Sequence, residues 1–287
     1  MGWQIGLQCA VHGHSVCLMS RTMGTLERAS QSQAQELDRW IAARRITAAD
    51  KEAILHRIHF TTDMREAVSG ADLVIESVPE VLETKREVFG QLDRICSSPT
   101  ILATNSSSIR ISKIEDATHR PDKVLNMHFY HRPWDRPLVE LMRGTETSGQ
   151  TMNRARIFAR RSGLTPLLVR KESTGFILNR VWRAIKKECL HLVDEGIASY
   201  EDVDRAWMLA FELPIGPFGR MDIIGLDVVR DIEMVYYRES GDPSDAPPEF
   251  LLAKIERGDL GVKAGKGFYT YPNPAFRNPS WLRGDAE

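Results

Sequence analysis

MGWQIGLQCAVHGHSVCLMSRT, residues 1–22, reads as a helix followed at once by a strand. Gly2 opens an amphipathic pattern with Ile5, Gly6 and Ala10 on one face, Gly13 ends it, and an apolar run at 16–19 follows. A nucleotide-binding βαβ unit needs a strand, a glycine-rich turn, and a helix whose first amides meet a pyrophosphate; the third glycine of GxGxxG lets that helix pack closely on the strand. Gly2 stands where the third glycine would, with neither the strand nor the first two glycines before it. The expectation is that Met1 is an internal methionine of a chain that begins about 10–20 residues earlier, the span of a strand and a turn. Taken alone, the stretch also suits the first helix of any α/β protein.

Working outward, short apolar runs alternate with helical patterns as far as about residue 170. Strands are predicted at 15–19, 73–78, 100–104, 124–128, 137–142 and 165–169, and helices at 24–45 and 81–95. Such alternation with branched, buried strands predicts a parallel sheet covered by helices on both faces. After Ser173-Thr174-Gly175 apolar residues recur at helical spacing through 176–194, 200–212 and 222–237, while 241–248 is a loop by its Gly and Pro content. The division expected is 1–171, a dinucleotide-binding domain lacking its first strand and glycines, and 172–287, an all-α domain.

With 287 residues, 42% hydrophobic and 27% charged, the composition is that of an ordinary globular protein with a sizeable core. A net charge of −1 gives no reason to expect nucleic acid or an anionic membrane as partner. No apolar run is long enough to span a bilayer, and Gly6 stands where a myristoylation signal needs Ser or Thr. Cys9, Cys17, Cys96 and Cys189 are far apart, without a CxxC pair, so reduced thiols and no metal site are expected, in a cytoplasmic protein.

Two features point to chemistry. After the strand at 15–19, dinucleotide folds place an acid on the ribose when they take NAD, or a small polar and a basic residue when they take the 2′-phosphate of NADP. This chain has Ser20-Arg21 there, and Arg21 either pairs with such a phosphate or begins a solvated helix. In residues 101–142 one strand ends in Asn105-Ser106-Ser107-Ser108, a second ends at His128, and a third carries Glu140. If the last two strands lie together, His128 and Glu140 form a base with an orienting carboxylate.

The ordered blocks MGxxIGxxxAxxGHxV at the start, ADLVIESVPEVLETK at 72–85, ATNSSSI at 103–109 and NMHFxxxP…LVE at 126–140 are joined by STGFILNR at 173–180, PIGPFGRMDIIGLD at 214–227 and GVKAGKGFYTY at 261–271. Together they resemble the L-3-hydroxyacyl-CoA dehydrogenase family over nearly the whole chain. The resemblance implies a Rossmann-like N-terminal domain, a helical C-terminal domain that forms a homodimer, and a small-molecule acyl-CoA or hydroxy-acid substrate. It implies His128 as the catalytic base, Glu140 as its partner, and Ser107 and Asn179 as groups placing the substrate oxygen and the cofactor. It also puts Glu80, Lys85 and Lys263 at contacts with NAD or NADP, although Glu80 and Lys85 also read as a helix-surface pair and Lys263 as the cap of a C-terminal turn.

The chain departs from the family pattern at several places. HFFNP becomes His128-Phe129-Tyr130-His131-Arg132-Pro133, with His131 where a cofactor-contacting Asn is expected and Arg132 as an added charge. Arg132 and Arg136 either meet a carboxylate or a CoA phosphate, or face solvent. Glu36 and Ala43 occupy the places of the family's CoA-binding Ser and Lys, with Arg39, Arg44 and Arg45 as nearby cations. Three functions therefore compete: oxidation of an L-3-hydroxyacyl-CoA, oxidation of a free 3-hydroxy acid as in gulonate and carnitine dehydrogenases, and a non-catalytic role like that of the family's lens crystallins.

Overall fold

In a computed structural model, described here for residues 1–284, the chain divides into two compact units, Met1–Leu178 and Asn179–Glu287. The first runs α1 (Gly2–Val11), β1 (Val16–Met19), α2 (Met23–Ala42), α3 (Ala48–His56), β2 (Ile58–Thr61), α4 (Met64–Val68), β3 (Leu73–Glu76), α5 (Leu82–Ile95), β4 (Ile101–Thr104), β5 (Val124–Phe129), β6 (Leu138–Arg143), α6 (Gly149–Arg161) and β7 (Thr165–Val169). Strands β1 and β2 pair in parallel, and β3-β4-β5-β6-β7 make a second sheet, parallel except between β5 and β6. This is the expected mostly parallel, Rossmann-like arrangement.

Side-chain alternation along the strands sorts the core into two faces. Ile101 and Ala103 of β4, Leu125, Met127 and Phe129 of β5, and Val139 and Leu141 of β6 pack with Ile5 and Cys9 of α1 and Ala155 and Ala159 of α6. Leu102 and Val124 belong instead to the cluster with Phe89 and Leu92 of α5. His128 and Glu140 occupy the intervening positions of β5 and β6, so they project away from the α1–α6 face. Helix α1 is wedged between cores, because Leu7 and Ala10 pack with Trp40, Ile54 and Ile58.

Among the described residues β1 and β3 are each paired along one edge, and both line a cleft of about 2250 Å³. Its other walls include Gly2, Ile5, Gly6 and Cys9 of α1 and Phe158 of α6. The close helix–strand approach falls at Gly6 rather than Gly2. A Cβ on Gly6 would lie 2.9 Å from Leu18 Cδ2, whereas one on Gly2 would meet only Ser77 Cβ at an ordinary 3.7 Å.

Other expectations are corrected. The strand β2 was not anticipated, since Ile-His-Phe-Thr offers only two apolar residues in alternation. The long helix at 24–45 ends at Ala42, and a separate helix α3 begins behind a Thr47–Asp50 capping box. The mostly parallel sheet stands as expected, with one antiparallel pair at β5–β6.

The second unit is helical: α7 (Leu178–Asp194), whose first residue still belongs to the first unit, is followed by α8 (Tyr200–Phe211), α9 (Pro217–Ile224), α10 (Leu226–Ser240), α11 (Glu249–Glu256) and α12 (Pro279–Leu282). The helix predicted at 222–237 is two, broken at Gly225, whose φ of 100° a side chain would strain. Phe218, Met221, Leu226, Val229, Leu251, Phe268, Tyr269 and Trp281 share its core. Two buried aspartates replace missing backbone partners there. Asp204 accepts from the amides of Phe218 and Gly219 at 2.7 and 2.9 Å, and Asp222 from those of Phe268 and Tyr269 at 2.8 and 2.9 Å.

Candidate active site

The antiparallel register sets His128 directly opposite Glu140, and Nδ1 of the imidazole lies 2.8 Å from Glu140 Oε2. Cross-strand partners on one face bring their Cβ atoms within about 5.5 Å, which makes this contact a product of the pairing itself. His128 is 7% exposed and Glu140 fully buried. Glu140 is well supplied with donors: Tyr130 O–H donates to Oε2 at 2.7 Å, and the amides of Ile177 and Leu178 donate to Oε1 at 2.8 and 3.0 Å. The latter are orphan amides at the start of α7. Burial pushes the carboxyl upward, but the donated hydrogen bonds of His128, Tyr130, Leu178 and Ile177 outweigh it, and Glu140 stays below the usual carboxylate range. An ionised Glu140 assigns the proton to Nδ1 and leaves Nε2 as an acceptor. Phe176, held at φ 53°, closes on the imidazole with ring centroids 5.1 Å apart.

At the carboxyl end of β4, the loop 105–108 is organised by Glu80. Glu80 Oε1 accepts from the Ser106 hydroxyl, from the amides of Ser107 and Ser108 at 3.1 and 3.0 Å, and from the Ser108 hydroxyl at 2.8 Å. Burial opposes its ionisation, yet Ser106, Lys85 and Ser108 hold it down at about 2. Ser107 itself is exposed. Asn105 Oδ1 accepts the Phe129 amide at 2.9 Å, tying this loop to the residue beside His128. Lys85 is not a surface partner of Glu80: it is 1% exposed, with Nζ 3.0 and 3.2 Å from the two oxygens of buried Glu76 and 3.2 Å from Glu80 Oε2.

Gly2, Ser20 and Arg21 all line the large cleft, joined by Arg28 and Ser32 of α2 and by Ser77, Val78 and Pro79 after β3. The cleft therefore presents the first turn of a helix, several hydroxyls and guanidinium groups that include Arg21 and Arg28, a donor set suited to phosphates.

The unusual segment after His128 is fastened to the first two helices. Gln4 Oε1 accepts the Arg132 amide at 2.7 Å, and Gln4 Nε2 lies 3.2 Å from His131 Nδ1. Arg132, in the left-handed region at φ 57°, pairs with Glu36 at 3.2 Å and Asp135 at 2.6 Å. Glu36 is buried and also accepts from Arg39 at 2.9 Å and the Trp40 indole at 3.1 Å. Arg45 lies 3.7 Å from Asp135, while Arg44 and Arg136 are exposed. Thus Arg132 and Arg39 pair with the buried carboxylate of Glu36, while Arg45 stands loosely against exposed Asp135.

In the second unit, Asn179 stands in the first turn of α7, half-buried. Lys263 pairs with Asp227 of α10 at 2.5 and 2.6 Å, instead of capping a turn.

Residues 1–173 match the family profile described as the 3-hydroxyacyl-CoA dehydrogenase NAD binding domain, and residues 175–271 match the 3-hydroxyacyl-CoA dehydrogenase C-terminal domain. The chain belongs to the 3-hydroxyacyl-CoA dehydrogenase family. It is 36% identical over 271 residues to a 3-hydroxybutyryl-CoA dehydrogenase of Clostridioides difficile, a match covering 94% of this chain and 96% of that one. The crystal structure of (S)-3-hydroxybutyryl-CoA dehydrogenase PaaH1 from Ralstonia eutropha superposes with a TM-score of 0.89 at 34% identity, covering 95% and 96% of the two chains. A 5-formyl-3-hydroxy-2-methylpyridine 4-carboxylate 5-dehydrogenase of Mesorhizobium japonicum is 34% identical over 75% of this chain and 70% of its own. These relatives are oxidoreductases. No helix among the described residues is long and apolar enough to cross a membrane.

Sequence reasoning passed over Tyr130, Gln4 and Glu76. Tyr130 was within reach, because it stands two places after His128, where a chain still extended past the strand end returns its side chain to the same face. Gln4 and Glu76 carry no such local signal; their partners lie 128 and 9 residues away.

Proposed function

We propose that this protein is a nicotinamide-dependent oxidoreductase that interconverts a 3-hydroxyl and a 3-keto group, with His128 as the acid/base. The observation that carries the reading is the His128–Glu140 pair: an imidazole, buried but for 7%, held 2.8 Å from an ionised carboxylate. The cleft fits a dinucleotide by its donors, with Gly2 at the helix start and Ser20, Arg21 and Arg28 along one wall. A bound nicotinamide supplies a two-electron acceptor or donor for the substrate carbon. In oxidation, His128 Nε2 takes the hydroxyl proton; in reduction, the imidazolium returns it. Glu140 stabilises that imidazolium and keeps the ring in the required tautomer. Ser107 and Asn179 are assigned to hydrogen-bond the substrate oxygen, and Glu80, Lys85, His131 and Lys263 to support the cofactor side, Glu80 by shaping the 106–108 loop. Ser20-Arg21 favours NADP, since a guanidinium and a hydroxyl suit a 2′-phosphate.

The preferred substrate is an L-3-hydroxyacyl-CoA. A second reading, a free 3-hydroxy acid, is supported by Glu36: the place of the family's CoA-binding serine holds a carboxylate, which engages Arg39 and Arg132. Self-association is supported by Val228, Ile232 and Val235, exposed apolar residues at helical spacing on α10. Initial rates with 3-hydroxybutyryl-CoA against free 3-hydroxybutyrate, each with NAD and NADP, test these assignments. His128→Gln is expected to lower kcat by about 10²–10⁴-fold; undiminished turnover removes the reading.

A further inference from the structure

The imidazole of His128 on β5 and the phenol of Tyr130, the residue just past the end of that strand, lie with ring centroids 4.8 Å apart. Both reach one atom, Glu140 Oε2, the imidazole Nδ1 at 2.8 Å and the phenol oxygen at 2.7 Å. The other carboxylate oxygen is taken up by the amides of Ile177 and Leu178. Glu140 thus has four donors, and two of them share the oxygen that steadies the imidazolium.

We propose that Tyr130 is a positioning residue that sets the basicity of His128 through Glu140, its hydroxyl withdrawing charge from the carboxylate oxygen that faces the imidazole. This rests on the assignment of His128 as acid/base and adds to it what tunes that group. A carboxylate stabilises a neighbouring imidazolium in proportion to the charge it offers, and each hydrogen bond donated to the same oxygen reduces that charge. The phenol has one O–H, and it is donated in the hydrogen bond to Glu140, so Tyr130 is no donor to substrate in this arrangement. Burial, and then Glu140, raise the Tyr130 pKa, which keeps the donor in place throughout the working range. The titratable groups meeting at the pair are His128, Glu140 and Tyr130. Among the described residues, those that other elements set beside the pair include uncharged Leu167 opposite Glu140 on β7, Phe176, and the amides of Ile177 and Leu178. The family pattern HFFNP has Phe at this place, so the hydroxyl distinguishes this chain.

Tyr130→Phe removes that donor and little else. The His128 ring is titrated by NMR in the full-length protein with isotope-labelled histidine, and its resonances are assigned with His128→Gln. The midpoint is expected to rise by about 0.5–1 pH unit, the size of losing one charge-assisted hydrogen bond partly transmitted to the ring. The acidic limb of kcat/KM for oxidation should rise with it, with KM little changed. Replacing Tyr130 by 3-fluorotyrosine, a more acidic phenol and stronger donor, should move the midpoint the other way, and it serves as the test even if the Phe variant folds poorly. An unchanged His128 midpoint in either folded variant overturns the proposal, as does a shift in the opposite direction. The titration needs no substrate, so a shifted midpoint in a protein inert toward hydroxy thioesters would defeat the assigned reaction and leave the coupling standing.

Discussion

Glu140 lies between two tasks: one of its oxygens holds the His128 imidazole at 2.8 Å, and the other accepts the first amides of α7 from Ile177 and Leu178. The same carboxylate thereby orients the proposed base and accepts amides at a helix start, which would tie chemistry to stability at a single residue.

Glu140→Gln separates these tasks from the charge. The amide is neutral and can present an N–H to the imidazole, which favours the wrong tautomer. A fall in kcat of about 10²–10⁴-fold is expected, with the apparent pKa of the base lowered. Unfolding free energy should fall by about 1–3 kcal/mol from poorer satisfaction of the buried donors. Steady-state pH profiles and urea unfolding on the same preparation measure both.

Arg21 decides between the two nicotinamide cofactors if it meets a 2′-phosphate. Arg21→Ala is expected to cut kcat/KM for NADP by about 10-fold or more, the worth of one exposed charge-assisted contact, while leaving NAD almost unaffected. Equal losses with both cofactors, or a strong preference for NAD in the unaltered protein, would remove the NADP assignment.

Lys85 tests whether the ion pair beneath the candidate cofactor contacts is structural. Lys85 and Glu76 are both about 1% exposed on their side chains, so Lys85→Met leaves a buried carboxylate without its cation. A loss of about 3–5 kcal/mol is expected, and the double variant Glu76→Gln/Lys85→Met should recover much of it. Chemical denaturation of both variants gives the answer.

Asp204 makes stability depend on pH. Burial raises its pKa in the folded protein from 3.8 to about 6, against the pull of the amides of Phe218 and Gly219 and the Tyr269 hydroxyl. The folded state therefore holds this proton more tightly than the unfolded chain. The associated stability is present below the unfolded value and is lost as pH rises through about 6. Urea midpoints between pH 4 and 7 should fall less with rising pH in Asp204→Asn than in the unaltered protein. An identical slope would show that another group governs this window.

Much of the fold was legible because local chemistry and global architecture agree. Apolar runs at 101–104 and 124–129 are strands for the reason they looked like strands: buried on both faces, they need no polar alternation. Less was legible where a decision depended on distant partners. Strand β2 exists because β1 offers it an edge, in the register Val16 to Ile58, and not because Ile-His-Phe-Thr insists on it. The close approach at Gly6 depends on where Leu18 comes to rest, which no motif around Gly2 reports.

The same distinction divides the site. The order of residue types along the chain, a histidine ending one strand and a glutamate within the next, already named the candidates for proton transfer, and the seven ordered blocks pointed to the family. Only the tertiary structure decided their relationship. The reversal of β6 against β5 sets Glu140 opposite His128, the chain just past β5 adds Tyr130 to the same oxygen, and chain folding brings Glu36 within reach of Arg132. Sequence specifies chemistry that is local to a residue, whereas the strength of a base or the freedom of a cation depends on which charges and donors stand a few ångströms away, and those are set by packing.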